Sequence, residues 1–401
     1  MHSKFISERM DSLQSSQTLA ISSKAKQLKK LGKNVLDFSI GEPDFDADIS
    51  VRNVAIQHIN QGNTSYTAAD GMLELKEAVR QKFIRDINIK YEDSEIICST
   101  GAKQSIFNAF MATLNQGDEV IIPTPFWTSY FDIIKFFGGT VKKLRTNFSK
   151  NFEIDFNELE NLITDKTKWI AINSPCNPSG KVISKKELDK IAEILKKYPN
   201  IHLMSDDIYE YIYFDSKNKS ENILKFYPEL KERVLIVNGL SKNYSMTGWR
   251  IGFSAGNKTL IKQMSAIQSQ CTSSPCKIAQ VAATQALNGK QDYIQNFVDS
   301  YKARALYVFN QVNKSDFLEM KMPEGAFYAF ISIQKTIQSG IFKSSMEFCQ
   351  KLLEEEFVCC VPGEAFGYDD FFRLSFATDM TTIQEGLKKI ENFIKKYNIQ
   401  S

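Results

Sequence analysis

The sequence predicts an α/β protein in which helices cover both faces of a mostly parallel sheet, with a smaller α+β domain attached. Three observations support this fold class. The chain has 401 residues, more than one domain of common size holds. Its middle alternates short apolar runs with helix-like segments, which is typical of a parallel sheet. Both ends of the chain lack that alternation and carry isolated helices and short strands instead.

Four short apolar runs in the middle of the chain are the predicted sheet strands. Each ends at a proline or at a polar residue, as buried strands do. One amphipathic helix is predicted between the second and third runs, over 185–198, because apolar residues recur there at helical spacing. The four runs are Glu119–Ile122, Trp169–Ile172, Ile201–Met204 and Val234–Val237.

The two ends of the chain predict the smaller domain. One helix is expected at Ala20–Leu31, before a stretch rich in Gly, Pro and Asp at Ile40–Phe45. From about residue 290 a long polar helix pattern leads to short strands near Ala326–Ile331 and Phe372–Phe376 and to a final amphipathic helix. We therefore expect an N-terminal arm and part of the small domain at 1–50, a large domain at 51–290 and the rest of the small domain at 291–401.

Composition and charge exclude several classes of protein. The net charge of +3 gives no argument for a nucleic-acid or membrane-surface partner. Three histidines and seven scattered cysteines predict neither a metal site nor a disulfide framework, so reduced thiols in the cytoplasm are expected. No run approaches the roughly 18 apolar residues of a membrane span.

Lys242 is the first candidate for chemistry. It lies just past the fourth apolar run, and α/β enzymes carry their active sites at strand ends. Arg250 follows eight positions later, ahead of another apolar run. A reactive amine near a fixed guanidinium suits an enzyme that holds an aldehyde cofactor as a Schiff base and binds its phosphate. An isolated Ser-Lys-Asn string is more commonly an exposed turn, so this hypothesis needs further groups.

Polar side chains also follow the second and third runs. Asn177, in the rigid loop Asn173–Gly180, can direct an amide into a site. Asp206 comes directly from an apolar strand, and a buried carboxylate needs a cationic partner such as a protonated pyridine. Tyr209 can reach that ring's phenolic oxygen. The simpler interpretations are a plain turn for the loop and a helix N-cap at Asp206 or Asp207.

Two further segments can hold a phosphate and a ring. Gly101 precedes a predicted helix, where backbone amides and the helix dipole favour an anion. Trp127, just past the first run, can stack on a planar ring. Plain capping by Ser99 or Thr100, and a core or domain-interface position for the tryptophan, are the simpler interpretations. The glycine patterns of dinucleotide and ATP sites are absent, which disfavours both ligands.

Taken together, these segments resemble the fold-type I pyridoxal-phosphate enzymes of the class I/II aminotransferase family. The resemblance is strongest to bacterial aspartate aminotransferases, which carry Gly-Gly-Lys-Gln where this chain has Gly101–Gln104. The spacings agree: Asp206 lies 29 residues after Asn177, and Lys242 lies 36 residues after Asp206. The matching strings cover nearly the whole chain: Gly41–Phe45, Tyr66–Thr67, Ser99–Gln104, Pro123–Trp127, Asn173–Gly180, Ser205–Tyr209, Ser241–Gly252, Thr272–Pro275, Pro323–Tyr328, Val361–Gly363 and Phe372–Ser375.

The resemblance implies pyridoxal 5'-phosphate as the cofactor, with roles for individual residues around its ring. Lys242 forms the Schiff base and then acts as the general base that moves the substrate's α-proton. Asp206 keeps the pyridine nitrogen protonated. Tyr209 and Asn177 hydrogen-bond the ring oxygen, and Trp127 stacks on the ring.

The resemblance also implies how the phosphate and the substrate are bound. Arg373 binds the substrate α-carboxylate through a bidentate pair, and Gly41 lets the N-terminal segment close over the substrate. Lys103, in the phosphate-binding loop, contacts a distal carboxylate. Tyr66 reaches the phosphate of a partner subunit, which implies a homodimer with shared sites. The phosphate of the same subunit is bound by Gly101, Ala102, Ser241 and Arg250.

Three departures from the family pattern bear on function. Ile40 stands where a small residue often precedes the Gly-Glu-Pro-Asp string. A serine that commonly helps to bind phosphate is missing just before Ser241, so phosphate binding leans more on Arg250. Relatives that transaminate prephenate carry a basic residue before Pro-Ser near the N-terminus. Here Gln14–Ser16 occupies that position, which argues against prephenate as a substrate.

The expected activity is the transfer of the amino group of L-aspartate to 2-oxoglutarate, giving oxaloacetate and L-glutamate by a ping-pong mechanism. An aromatic or broad-range aminotransferase is the alternative, followed by another pyridoxal-phosphate-dependent lyase. A ligand-sensing domain is a non-enzymatic alternative. It needs an attached DNA-binding domain of roughly 60 residues, and the family motifs begin by residue 41.

Overall fold

The computed structural model describes residues 5–13, 17–215 and 221–398. Its strands are β1 (Leu36–Asp37), β2 (Ile96–Ser99), β3 (Glu119–Thr124), β4 (Thr140–Arg145), β5 (Thr167–Asn173), β6 (His202–Asp206), β7 (Val234–Gly239), β8 (Gly252–Ala255), β9 (Tyr328–Ser332), β10 (Val358–Cys359), β11 (Val361–Pro362) and β12 (Phe371–Ser375). Its α-helices are α1 (Gln17–Lys30), α2 (Ile49–Asn60), α3 (Leu73–Ile87), α4 (Ala102–Thr113), α5 (Thr128–Phe136), α6 (Phe156–Leu162), α7 (Lys185–Lys197), α8 (Lys258–Cys271), α9 (Lys277–Asn288), α10 (Asp292–Val312), α11 (Gln334–Gln338), α12 (Ser345–Glu356) and α13 (Met380–Asn398).

A seven-stranded sheet with the order β2-β8-β7-β6-β5-β3-β4 forms the centre of the molecule. The strands β4, β3, β5, β6 and β7 run parallel to one another, which confirms the predicted mostly parallel sheet. The four predicted strands are β3, β5, β6 and β7, and each ends one or two residues later than the apolar run.

The direction of each strand decides which residues meet at one edge. The carboxyl ends of β3, β5, β6 and β7 share that edge, because these strands are parallel. The strand β8 is antiparallel to both β7 and β2, so it begins at the edge where they end. The pairs Ser99–Gly252 and Gly239–Gly252 therefore bring three chain segments together.

Helices cover both faces of the sheet, as predicted. Successive side chains point to opposite faces of a strand, so Val120 and Ile121 of β3 belong to different apolar clusters. The helix α7 confirms the predicted helix over 185–198 to within one residue. It begins with a capping box between Ser184 and Glu187, and its buried Ile191 packs into the larger cluster.

The two ends of the chain form a second, smaller group of elements. The strands β11, β12 and β9 make an antiparallel sheet, and β1 pairs with β10, which joins the N-terminal segment to the C-terminal one. The predicted strands correspond to β9 and β12 with shifts of one or two residues, and the predicted terminal helices correspond to α1 and α13. The domain boundaries at 50 and 290 stay predictions.

Two features, a helix able to cross a membrane and a group of metal-binding side chains, are absent from the described residues. Among the helices of that part of the chain, none has the length and apolarity needed to cross a membrane. Within the same residues, no three or more His, Cys, Asp and Glu side chains are grouped so that they could hold a metal ion.

Candidate active site

A cavity of about 820 Å³ opens at the edge where the parallel strands end. Residues from β5, β6 and the segment after β7 line it, together with residues of the N-terminal segment and of β12. The sequence-predicted site residues that line it are Gly41, Ala102, Lys103, Trp127, Asn177, Asp206, Tyr209, Ser241, Lys242, Arg250 and Arg373.

Asp206 is the last residue of β6 and is buried, with 4% of its surface exposed. One carboxylate oxygen accepts a hydrogen bond from the Tyr130 hydroxyl, and the other accepts one from the Ile208 backbone N–H at 3.2 Å. Burial raises the pKa of Asp206 to about 6, although Tyr130 and the nearby Lys242 oppose that shift. A turn rather than a helix follows at 208–211, so the N-cap interpretation of this aspartate is wrong.

Lys242 lies three residues past β7, and its amine is buried. Its Nζ donates a hydrogen bond to the carbonyl of Gly41 at 2.5 Å. Burial lowers the pKa of Lys242 to about 8, Glu42 opposes the shift, and cations that include Arg373 add to it. An amine with such a pKa is partly neutral near physiological pH, as a nucleophile or general base requires. The exposed-turn interpretation of this lysine is therefore wrong.

Gly101 and Arg250 form the predicted phosphate-binding corner. Gly101 precedes α4 with a φ of 78°, so plain side-chain capping is the wrong interpretation of this helix start. The hydroxyl of Ser99 donates to the Gly101 carbonyl at 3.0 Å. A Cβ at Gly101 would lie 2.3 Å from Nη2 of Arg250, so only glycine lets the guanidinium lie against the loop. The helix N-terminus and the guanidinium together favour an anion.

Arg373 of β12 and Asn177 of the loop after β5 are hydrogen-bonded to each other. Arg373 donates to Asn177 Oδ1 at 2.9 Å and to the Ser39 carbonyl at 2.7 Å. Its guanidinium lies 4.5 Å from the ring centre of Tyr328 and 5.1 Å from that of Phe366. Its Nε finds no hydrogen-bond partner anywhere in the described parts of the chain. A buried guanidinium with an unused donor suits a carboxylate ligand.

Comparison with known proteins identifies the family. The family model "Aminotransferase class I and II" matches residues 33–390. The chain is 47% identical to a protein of Rickettsia prowazekii named "Probable aspartate/prephenate aminotransferase", over 96% of this chain and 98% of that one. It is 43% identical to an aspartate aminotransferase of Rhizobium meliloti, over 95% and 94%.

Solved structures agree with these matches. The aspartate aminotransferase of Rhizobium meliloti superimposes with a TM-score of 0.91 at 42% identity, covering 96% of this chain and 98% of that one. The aspartate aminotransferase of Thermus thermophilus with maleate superimposes with a TM-score of 0.91 at 32% identity, covering 97% and 100%. The chain belongs to the class I and II aminotransferase family. It is therefore a pyridoxal-phosphate-dependent transaminase with the fold-type I architecture.

Aromatic residues of this aminotransferase also lie at the cavity. Trp127 is half-buried and lies edge-to-face with Tyr130, with ring centres 5.4 Å apart. The amine of Lys103 lies 4.9 Å from the centre of the tryptophan ring. The pKa of Lys103 is lowered by burial and by Arg250. A core position for this tryptophan is thus the wrong interpretation, because its ring faces the cavity.

Two predicted site residues do not line the cavity. Gly101 packs closely against the guanidinium of Arg250, which does line the cavity. Tyr66 is 93% exposed and is not among the residues that line the cavity of its own chain. The Gln14–Ser16 segment, on which the prephenate prediction rests, lies outside the described residues.

Sequence reasoning missed three side chains that support the predicted ones. The hydroxyl of Tyr328 is 2.8 Å from that of Tyr209. Tyr130 donates to Asp206, and Asn173 bonds both the Asp206 carbonyl at 2.9 Å and the Asn177 N–H at 2.8 Å. Tyr328 and Asn173 lie within motifs that the sequence had singled out, and Tyr130 lies three residues after one. Their partners Tyr209 and Asp206, however, are 33 or more residues away along the chain. The pairing of β5 with β6 brings Asn173 beside Asp206, whereas Tyr130 reaches its partner from α5 and Tyr328 reaches its partner from β9.

Asp206 adds a measurable titration to the stability of the cofactor-free protein. Its pKa is about 6 when folded, against 3.8 for the ordinary carboxyl group. The folded chain binds this proton more tightly, so the free energy of unfolding falls as the pH rises from about 4 to about 7. The loss is roughly 3 kcal/mol, at about 1.4 kcal/mol per pKa unit. The Asp206→Asn variant lacks this titration.

Urea unfolding of both cofactor-free proteins at about pH 4 and about pH 7.5 measures the effect. We expect the wild type to lose stability relative to Asp206→Asn at the higher pH. An equal stability difference at the two pH values would contradict the raised pKa.

Proposed function

We propose that this transaminase transfers the amino group of L-aspartate to 2-oxoglutarate by a ping-pong mechanism. The observation that carries the proposal is a pair of cations, Arg373 and Lys103, in the same cavity as Lys242. Two separate cations suit substrates with two carboxylates, and L-aspartate, oxaloacetate, 2-oxoglutarate and L-glutamate all have two. The names of the relatives support this substrate class, as does the dicarboxylate maleate named with the Thermus thermophilus structure.

The residues of the cavity fit pyridoxal phosphate. The buried carboxylate of Asp206 has a raised pKa, and a protonated pyridine nitrogen would supply the cation that offsets its burial. Arg250, Ser241 and the N–H group of Ala102 suit the phosphate, and Gly101, whose own N–H donates to the Ser99 carbonyl at 2.8 Å, leaves room for the guanidinium beside them. When bound, the cofactor supplies an aldehyde carbon and a ring that withdraws electrons from the substrate's α-carbon.

The chain's own side chains bind, orient and move a proton. The amine of Lys242 would hold the cofactor's aldehyde carbon until the substrate's amine displaces it. The freed Nζ is then the group placed to take and hold the proton that leaves the substrate's α-carbon. Tyr209 and Asn177 would donate hydrogen bonds to the ring oxygen of the cofactor, and Trp127 would pack against its ring. Arg373 holds the α-carboxylate so that the α-proton faces the lysine.

The N-terminal segment and Lys103 complete the substrate site. The carbonyl groups of Ser39 and Gly41 accept hydrogen bonds from Arg373 and Lys242, so this segment covers the cavity. A Cβ at Gly41 would lie 2.6 Å from the Tyr328 hydroxyl, which is why a larger residue does not fit there. Lys103 binds the distal carboxylate.

A homodimer with shared active sites is part of the proposal. Tyr66 is 93% exposed, so its hydroxyl is available to the phosphate of a partner subunit. A cytoplasmic location is also proposed. All seven cysteines fall within the described residues as free thiols, which suits a reducing compartment.

An aromatic or broad-range aminotransferase is the second candidate. Trp127, Tyr328 and Phe366 line the cavity and can pack against an aromatic substrate. The relative from Rickettsia prowazekii carries prephenate in its name. The sequence of this chain argues against prephenate at Gln14–Ser16, and that prediction stands to be tested with prephenate as the amino acceptor.

The absorption spectrum of the purified protein with pyridoxal phosphate tests the proposed function. We expect a visible band that L-aspartate removes and 2-oxoglutarate restores, because the two substrates drive opposite half-reactions. The Lys242→Ala variant should lack the band of the covalently bound cofactor. A strong response to L-tyrosine or L-alanine with none to L-aspartate would contradict the substrate assignment, and no band at all would contradict the cofactor chemistry.

Lys103→Met tests the dicarboxylate site. A hydrogen bond to a charged group contributes about 1.5–3 kcal/mol, so we expect kcat/KM for L-aspartate to fall roughly 10- to 100-fold. The value for L-alanine, which lacks the distal carboxylate, should change little. Lys135→Met, an exposed lysine of α5, is the matched control. Equal losses for both amino acids would show that Lys103 does not read the distal carboxylate.

Tyr66→Phe tests the shared site. Loss of a hydrogen bond to a phosphate should weaken pyridoxal-phosphate binding by about 10-fold or more. Tyr307→Phe in α10 is the control and should leave the affinity unchanged. Sedimentation should give twice the 45.7 kDa of one chain. The shared site would be refuted if the wild-type protein sedimented as a monomer and the Tyr66→Phe variant bound pyridoxal phosphate with wild-type affinity.

A further inference from the structure

A buried cluster of charged side chains lies beside the turn at 208–211, outside the residues that line the cavity. It has no part in the mechanism above. Its centre is Lys82 in α3, with only 2% of its side chain exposed. The amine pairs with Asp86 at 3.0 Å and with Glu210 at 2.8 Å. Burial by itself would lower the pKa of Lys82, but these two carboxylates raise it, so the lysine is a charged, buried counter-ion.

Glu210 connects this cluster to the strand that leads to Lys242. Its Oε1 accepts a hydrogen bond from the side-chain amide of Asn238 at 2.7 Å. Asn238 lies in β7, and its own Oδ1 accepts from the Gly239 N–H at 2.7 Å. The glutamate therefore fixes the end of β7, four residues before the catalytic lysine.

A second contact fixes the other side of the same lysine. The backbone N–H of Tyr211 donates to Oδ1 of Asn243, the residue after Lys242, at 3.3 Å. The hydroxyl of Tyr211 in turn accepts from Arg85 at 2.9 Å and donates to Asp86. The two residues that follow Tyr209 thus bond the two segments on either side of the lysine.

This arrangement is better suited to fixing geometry than to adding stability. Taking two charges out of water offsets most of their attraction, so a buried ion pair is weak evidence for stability. Burial raises the pKa of Glu210 even with Lys82 beside it. The same pair, however, ties the turn at 208–211 to both α3 and β7, because Oε1 of Glu210 binds Lys82 and Asn238 together.

We propose that Glu210, held by Lys82, is a positioning residue that sets the Tyr209 hydroxyl and the Lys242 amine relative to each other. The roles of Tyr209 and Lys242 come from the proposed function, and the inference rests on it to that extent. Catalytic groups lose up to about 100-fold in rate when they are displaced by about 1 Å. The link through Glu210 and Asn238 prevents such a displacement.

Glu210→Ala tests the proposal in the pyridoxal-phosphate-loaded enzyme. We expect kcat with L-aspartate to fall roughly 10- to 100-fold with little change in KM, since binding groups such as Arg373 are untouched. We also expect the pH midpoint of the visible cofactor band to shift by about half a unit or more. Glu210→Gln should restore both quantities, because its amide oxygen can occupy the position of Oε1 and accept from Lys82 and Asn238.

Glu95→Ala is the matched control. Glu95 is also buried, and it pairs with Lys231 at 2.8 Å just before β2, at the end of that strand opposite the active site. Both Glu95→Ala and Glu210→Ala should lower Tm, because each removes a buried ion pair. Glu95→Ala should leave kcat and the pH midpoint of the cofactor band unchanged. If Glu210→Ala lowers Tm alone, like the control, Glu210 is merely structural and the proposal is overturned.

Asn238→Ala supplies a second test in case Glu210→Ala does not fold. It breaks the link to β7 but leaves the Lys82–Glu210 pair intact, so no buried charge is left without a partner. We expect the same fall in kcat and the same spectral shift, and wild-type values would overturn the proposal. If the wild type shows no transamination, the proposed function fails, while the spectral midpoints of the variants still decide the positioning role.

Discussion

The buried carboxylate of Asp206 is the constraint on which the active site depends. A carboxylate at the end of a buried strand loses its hydration, and its pKa rises to about 6 as a result. Tyr130 offsets part of that cost, and the cofactor's ring nitrogen is proposed to offset the rest. On the neighbouring strand, burial moves the pKa of Lys242 in the opposite direction, to about 8. The lowered pKa leaves the amine of Lys242 partly neutral, as the general base of the proposed proton transfer must be, while the carboxylate of Asp206 would hold the cofactor's pyridine nitrogen protonated.

The topology of the sheet explains why these groups meet. Parallel strands end at one edge, so the residues that follow β3, β5, β6 and β7 lie side by side. The reversed strand β8 returns the chain to that edge and brings Arg250 against Gly101, although 149 residues separate them. Arg373 reaches the same cavity from β12, in the second group of elements, and its contact with Ser39 joins both ends of the chain over the site.

Local patterns predicted much of this arrangement, and contacts between distant segments account for the rest. Continuous apolar runs predicted the buried strands, and the polar residues after them predicted Asn177, Asp206 and Lys242. The partners of those residues were not predictable from spacing: Tyr130 lies 76 residues before Asp206, and Tyr328 lies 119 residues after Tyr209. The Lys82–Glu210 pair is equally non-local. The exact strand ends shifted by one or two residues because the register of the sheet, rather than the apolar run, decides where pairing stops.

Borohydride trapping tests the central claim most directly, because it marks the lysine that holds the cofactor. The protein is loaded with pyridoxal phosphate, reduced with sodium borohydride, digested and sequenced by mass spectrometry. The account predicts one peptide with the added mass of the reduced cofactor, and the modification on Lys242. Modification at Lys103 instead, or no stoichiometric modification of any lysine, would contradict the assignment of Lys242.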